Sequence, residues 1–390
     1  MTAGLKDNFE MVAKTFHGLE DVLALEIREL GGKDIEILNR AVRFVGNKYL
    51  LYKANLYLRS ALRILVPVIQ GEIKNQVDLY TRIRDYAWEK HLEAGMTLAV
   101  DTFLNTSVFT NSHFVSLRTK DAVVDRIREK FNRRPSINKN NPDLFINVHL
   151  ANNHLTVSID TSGSSLHKRG YRKADVDAPL NEVLAAGLLL LAGWKGETDF
   201  YDPMCGSGTL GIEAALIARK IPPGIFRKQY GFEKSPDFEA DLFEEIFENV
   251  EEEPWEGKIF SSDISKPAVK AAMRNAREAS VHKNIQFLGA NFEDYPEVGK
   301  KSLAILNPPY GQRIIKPEII NFYKNIGNTL KRSFRGSEVW IISSNLEALK
   351  YVGLKPSQKI KLYNGAMECR YNRYSIYQGS KKQKYNNPEN

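Results

Sequence analysis

Cysteine is nearly absent: the 390 residues hold two, Cys205 and Cys369. A disulfide framework is therefore not expected, and a reducing compartment fits. No N-terminal segment joins a basic start to an apolar core, so no signal peptide is expected. The longest apolar run, Val183 to Trp194, is too short to span a bilayer. No internal repeat is visible. These absences leave a cytoplasmic protein, with no membrane partner and no metal, as the expectation.

What is present reads as globular, with 43% hydrophobic and 26% charged residues. The length suits two or three domains with large cores. The formal net charge of +8 favours an anionic partner such as nucleic acid. A homodimer is compatible with the sequence, which does not fix the oligomeric state.

Phe9 to Lys14 alternates like a strand, Gly18 to Leu30 has helical spacing, and Ile35 to Leu38 and Val42 to Val45 read as strands. This is the start of a small α+β module. Tyr49 to Leu65 reads as a helix and Val66 to Gln70 as a strand. Leu79 to Trp88 then reads as a helix, Thr97 to Phe103 as a strand, and Phe114 to Phe131 as a basic amphipathic helix. Leu144 to Leu150 and His154 to Asp160 alternate as a hairpin. Thr161 to Pro179 is polar and connects two bodies. From Leu180 strands alternate with helices, which implies a largely parallel, doubly wound sheet. The acidic stretch Asp237 to Glu256, with Phe238, Leu242, Phe243, Ile246 and Phe247 interleaved, reads as a surface insertion holding an amphipathic helix. The lysine-rich tail from Gly379 is expected to be disordered. The expected divisions are 1–47, 48–160, 161–179, 180–378 and 379–390.

The chemistry concentrates in two motifs. Asp202-Pro203-Met204-Cys205-Gly206-Ser207-Gly208-Thr209 reads as a strand tip, a Gly-rich turn and a helix start. Gly206 and Gly208 permit positive φ and close approach of a ligand. The following helix offers free N–H groups to a carboxylate or phosphate. The turn is neither a phosphate-binding P-loop nor a G-x-G-x-x-G dinucleotide pattern. Asp202 suits an amine-bearing ligand. S-adenosylmethionine (SAM), with an ammonium, a sulfonium and a carboxylate, fits the set. Asp263, after the next strand, can accept ribose hydroxyls or cap the following helix. Asn291 is placed to meet an adenine edge or to bond its own loop.

Asn307-Pro308-Pro309-Tyr310 reads as the tip of another strand. The prolines fix the backbone and remove donors. The Asn307 side-chain oxygen and the Pro308 carbonyl can then grip one exocyclic NH2 and aim its nitrogen at a methyl donor. Tyr310 can stack on the base plane. Acceptors that favour pyramidalisation raise the reactivity of a conjugated amine.

These two motifs resemble motifs I and IV of Rossmann-like amino-methyltransferases. More specifically, Leu166-His167-Lys168-Arg169-Gly170-Tyr171-Arg172 and Leu210-Gly211-Ile212-Glu213-Ala214-Ala215 resemble the THUMP-domain 23S rRNA guanine-N2 methyltransferases, over nearly the whole chain. The resemblance implies an α/β architecture: a C-terminal Rossmann-like class I methyltransferase domain behind an N-terminal α+β ferredoxin-like/THUMP RNA-binding module. It implies methyl transfer from SAM to guanine N2, on free 23S rRNA or an assembling large subunit. Asp202, Pro203, Cys205, Gly206, Ser207, Gly208, Thr209, Asp263 and Asn291 would line the SAM site, although many relatives have aspartate at the last of these. Asn307, Pro308, Pro309 and Tyr310 would hold the base. Arg118, Lys120, Arg126 and Arg128 on the basic helix match what the THUMP module uses to hold RNA. The chain lacks the second methyltransferase unit of longer, fused relatives, so one methylated position is expected.

Residues 118–139 hold eight Lys/Arg against three acids, which suits backbone contact with RNA and includes an exposed loop at Arg133 and Arg134. His167, Lys168, Arg169, Tyr171 and Arg172 would clamp phosphate or roof the base pocket. A paired or stacked target base would have to be flipped out. Four alternatives stay open: adenine-N6 methylation of DNA, guanine-N2 methylation of tRNA, glutamine-amide methylation, and a non-catalytic RNA-binding assembly factor.

Overall fold

The computed structural model describes residues 7–106, 108–174, 179–298, 301–309 and 316–377. The chain divides into two compact units. The first comprises residues 1–15, 23–168 and 227–250; the second comprises 16–22, 169–226 and 251–390.

The first unit is built from β1 (Phe9–Lys14), α1 (Glu20–Glu29), β2 (Lys33–Leu38), β3 (Ala41–Gly46), α2 (Lys48–Tyr57), β4 (Arg63–Glu72), α3 (Gln76–Arg84), β5 (Thr97–Asn105), α4 (Ser112–Phe131), β6 (Ser136–Ile137), β7 (Leu144–Ala151) and β8 (His154–Asp160). Its strands form one sheet in the order β2-β3-β1-β4-β8-β7-β5-β6. Strand β4 joins the halves, pairing antiparallel with β1 on one side and β8 on the other. A proline cannot donate to a ladder, and the register shifts between Pro67 and Ile69. Two apolar cores lie in this unit, one around Met11, Phe44 and Tyr52 and one around Trp88, Val123 and Val148.

Three sequence expectations change here. The helix expected from Tyr49 to Leu65 stops at Tyr57, with Leu58 extended. The N–H groups of Arg59 and Ser60 donate to the Glu26 carboxylate at 2.8 and 3.0 Å, so a side chain of α1 takes donors that a longer helix would use. The helix expected to reach Trp88 ends at Arg84, and Trp88 starts a short 3-10 turn with its indole N–H on the Ile83 carbonyl at 2.6 Å. The acidic stretch does form an amphipathic helix, α7 (Ala240–Glu248), but it belongs to the first unit. Tyr230, Phe232 and Ile246 enter the core around Tyr52, with Phe232 stacked on Tyr52 at 4.4 Å. Lys48 pairs with Asp237 and Glu239 at 3.3 and 2.9 Å.

The second unit contains α5 (Glu182–Leu191), β9 (Phe200–Asp202), α6 (Thr209–Ala218), β10 (Ile259–Asp263), α8 (Lys266–Glu278), β11 (Ile285–Gly289), β12 (Leu303–Leu306), α9 (Lys316–Ser333), β13 (Glu338–Ser343), β14 (Gln358–Asn364) and β15 (Met367–Ser375). The sheet order is β11-β10-β9-β12-β13-β15-β14. The first five strands are parallel, while β15 and β14 run antiparallel. The succession β9, β10, β11 runs one way and β12, β13 the other. In open α/β sheets, ligands bind outside the carboxyl ends of the strands at such a reversal. Among the described residues, no helix is long and apolar enough to cross a membrane.

Candidate active site

The reversal brings together the ends of neighbouring strands β9 and β12. Strand β9 ends at Asp202, and the chain turns through Gly206 (φ 52°) and Gly208 (φ 83°) into α6. Gly208 is the N-cap residue of α6, and no side chain caps the helix there. A Cβ on Gly208 would also stand 2.8 Å from Ala272 Cβ, so the glycine serves both the left-handed turn and the packing on α8. The start of α6 is thus left as a set of backbone donors, a ready site for a carboxylate.

Asp202 is fully buried, and neither carboxylate oxygen has a hydrogen-bond partner among the described residues. Burial first, then the charge of Asp263, pushes its pKa up to about 8. The backbone N–H groups of Gly211 and Met204 face the carboxyl without completing a hydrogen bond and act in the opposite direction. An unpartnered buried carboxyl at a strand tip is costly unless a cation or donor arrives. Cys205 is buried, and its thiol is raised well above its ordinary value by burial, then by Asp202 and Asp263. A thiol so protonated is a wall, not a nucleophile. Pro203, Ser207 and Thr209 are buried in the same turn.

Asp263 ends β10 and knits the turn to its neighbour. One carboxylate oxygen accepts the Gly206 N–H and the other the Ser265 N–H, each at 2.9 Å. Each oxygen keeps a lone pair for a hydroxyl. The cap of α8 is Ser265, not Asp263. Asn291 caps a short turn, its side-chain oxygen accepting the Glu293 N–H at 3.3 Å. That is the local loop bond weighed against an adenine contact. Asn307 follows β12, half-buried, and its Oδ1 is buried with no hydrogen-bond partner among the described residues. Pro308 is buried and Pro309 exposed. Tyr310 lies outside the described residues.

Two apolar residues that the motifs did not include flank the site. Ile264, directly after Asp263, is 73% exposed, and Leu288 near the end of β11 is 53% exposed. They stand at the carboxyl ends of the paired strands β10 and β11. An apolar residue immediately after a strand-tip acid was the available signal.

The connecting motif departs from its expected contact with RNA. Arg169 and Tyr171 are each 1% exposed. Arg169 pairs with Glu213 at 3.5 Å, and the Tyr171 hydroxyl donates to the same carboxylate at 2.9 Å. Buried side chains held in this way cannot meet a phosphate. Gly170, at φ 113°, passes so close to Phe226 that a Cβ would lie 2.1 Å from its carbonyl oxygen. Arg172 turns inward to Glu182 at 2.8 Å. Lys168 is exposed, and the His167 ring sits 2.8 Å from Ser165 Oγ.

In the first unit, the basic helix α4 also spends charge on the protein. Arg126 makes a two-bond pair with Glu89 at 2.6 and 3.0 Å and holds that carboxyl down at about 2. Arg118 lies 4.2 Å from the Tyr80 ring centroid. Arg128 pairs with Asp125 at 3.1 Å, and Lys120 with Asp121 at 2.7 Å. Arg133, Arg134 and Lys139, beyond the helix, are exposed.

A family model described as the RMKL-like methyltransferase domain matches residues 169–373. A THUMP domain model matches 74–160 and an RlmL ferredoxin-like domain model matches 10–65. A "putative RNA methyltransferase" of Synechocystis is 36% identical over 96% of this chain and 98% of its own. A "ribosomal RNA large subunit methyltransferase K/L" of Syntrophotalea carbinolica is 38% identical over 92% of this chain but 52% of its own, so the chain spans about half the length of that relative. Among solved structures, the putative methyltransferase SMU.472, complexed with SAH, has a TM-score of 0.83 at 29% identity, covering 96% of this chain and 100% of its own. The chain belongs to the RMKL-like methyltransferase family, with ferredoxin-like and THUMP domains preceding its methyltransferase domain.

Proposed function

We propose that this protein is a cytoplasmic RNA methyltransferase that places a methyl group on the exocyclic N2 of a guanine in 23S rRNA. The methyl donor is SAM: the family is one of methyltransferases, and SMU.472 carries SAH, the product left when SAM gives up its methyl. The names of the K/L relatives support ribosomal RNA of the large subunit as the substrate. The observation that carries the choice of an amine is Asn307 Oδ1, a buried acceptor without a partner among the described residues, beside the β9/β12 reversal.

The residues fit the donor. The unpartnered Asp202 carboxyl suits an ammonium, the open start of α6 a carboxylate, Asp263 a ribose, and Ile264 with Leu288 an adenine face. SAM supplies an electrophilic methyl group on sulfonium. The chain's own part is to hold and orient. Asn307 Oδ1 and the Pro308 carbonyl accept the two N–H bonds of the target amine and turn its lone pair toward the methyl. As the nitrogen gains positive charge, both acceptors tighten, which is the selective stabilisation that speeds the step. Release of one proton from the methylated nitrogen completes the transfer, and no strongly basic side chain is required. The exposed Arg133, Arg134 and Lys139 carry the phosphate contacts better than Arg118 and Arg126, whose charges face protein partners.

The test uses tritiated SAM with total RNA from cells lacking this gene. The labelled RNA is sized and digested to nucleosides. Label in large-subunit rRNA as N2-methylguanosine is the expected result. Label in a tRNA-sized fraction changes the partner. Label in DNA or protein alone overturns the RNA reading.

A further inference from the structure

The turn at Gly206 to Gly208 needs an external support. Both glycines have positive φ, and glycine is the residue least able to hold a turn rigid by itself. The support comes from the segment entering the second unit. The Arg172 guanidinium donates to Glu182 Oε1 at 2.8 Å, to the Leu180 carbonyl at 2.9 Å, to Thr209 Oγ1 at 3.1 Å and to Ser207 Oγ at 3.2 Å. Ser207 and Thr209 stand on either side of Gly208. One planar fork therefore spans both hydroxyls that bracket the left-handed residue, a geometry that lysine cannot copy.

A second stitch lies beside it. Asn275 of α8 is 1% exposed. Its side-chain oxygen accepts the N–H groups of Lys173 and Ala174, each at 2.9 Å. Its amide donates to the Ala174 carbonyl at 2.7 Å and to the Ser207 carbonyl at 3.2 Å. The segment from Arg172 to Ala174 is thus fixed to the turn through two separate side chains. Glu182, 5% exposed, keeps the guanidinium in place in a largely desolvated setting.

We infer that Arg172, oriented by Glu182, is a positioning residue for the cofactor: it fixes Ser207 and Thr209 so that the donors at the start of α6 stay aimed at the SAM carboxylate. This rests on the SAM reading given above. It also gives Arg172 of the connecting motif a task unrelated to RNA.

The experiment compares Arg172→Lys and the double variant Arg172→Gln with Glu182→Gln against the parent protein. The double variant removes both members of the buried pair, so neither charge is left alone in the interior. SAH affinity is measured by calorimetry, and KM for SAM, KM for RNA and kcat at saturating SAM by methyl transfer to rRNA. Losing charge-assisted bonds of this kind should raise the SAH Kd and the KM for SAM by about tenfold or more in the double variant. KM for RNA should stay unchanged, kcat should stay within about twofold, and Arg172→Lys should fall between. A role in folding alone would lower the active fraction and hence kcat while leaving KM for SAM unmoved, and that pattern overturns the inference. An unchanged SAH Kd in the double variant, with the parent protein binding normally, overturns the role of Arg172 alone. A parent protein that binds no SAH overturns the cofactor reading and the inference with it.

Discussion

Cofactor affinity should climb steeply with pH, because Asp202 must lose a proton to receive an ammonium. In the unliganded protein its pKa stands at about 8 against an ordinary 3.8. For a single site at about 8, the ionised fraction is roughly 1% at pH 6, 9% at pH 7 and 50% at pH 8. Apparent affinity scales with that competent fraction, so the SAH Kd should fall about 50-fold between pH 6 and pH 8. Calorimetric titration with SAH over this range reads the effect directly. Asp202→Asn should bind SAH weakly and with no such slope. A parent Kd that is flat from pH 6 to pH 8 would refute the reasoning. Stability has the opposite trend. The folded protein keeps a proton that the unfolded chain releases above pH 3.8, so this contribution is complete at low pH and is lost as pH rises through about 8. Within that window, unliganded stability should decline by up to about 1.4 kcal/mol per pH unit, and Asp202→Asn should flatten the decline in denaturant titrations.

Asn307→Ala should lower kcat by roughly 10²-fold or more while leaving SAH affinity little changed, and an equal loss of SAH binding would remove its assigned role. Arg133→Glu with Arg134→Glu should weaken rRNA binding and reduce the slope of log K against log salt by about two, measured by filter binding; an unaltered affinity would take this turn out of the RNA contact. Arg126→Ala should act on stability instead, lowering the thermal midpoint slightly, with RNA affinity by filter binding largely retained. Gly170→Ala should destabilise on the order of 2–4 kcal/mol, since it combines a positive φ with a clash against the Phe226 carbonyl, and a thermal melt within 1 °C of the parent would contradict that.

The parallel part of the second unit was legible because each strand-turn-helix step leaves a local mark: apolar run, Gly or Asn, helical spacing. Asp202 and Asn307 could be placed from these marks alone, since a strand tip is defined by its own neighbours. The α2 boundary was not legible. Leu58, Ala61 and Leu65 continue a helical spacing, and the helix ends because Glu26, more than thirty residues away, takes the backbone donors of Arg59 and Ser60. Charge misled in a similar way. Arg126 and Arg172 look alike in sequence to Arg133, but Glu89 and Glu182 occupy them and nothing local announces those partners. The allegiance of α7 was equally hidden, since an amphipathic pattern shows that a face is buried without showing against what.

The placement of residues 227–250 in the first unit bears on how the chain is made. The core around Tyr52 needs Tyr230, Phe232 and Ile246, which leave the ribosome long after Lys168. At about 5–20 residues per second, synthesis from residue 168 to residue 250 takes roughly 4–16 s. Through that interval the nascent first unit presents an unfinished apolar face, while the start of the second unit emerges behind it. The core around Trp88 can close on its own early, but the core around Tyr52 must wait for Ile246. A fragment ending at Lys168 would therefore hold one finished core and one open one.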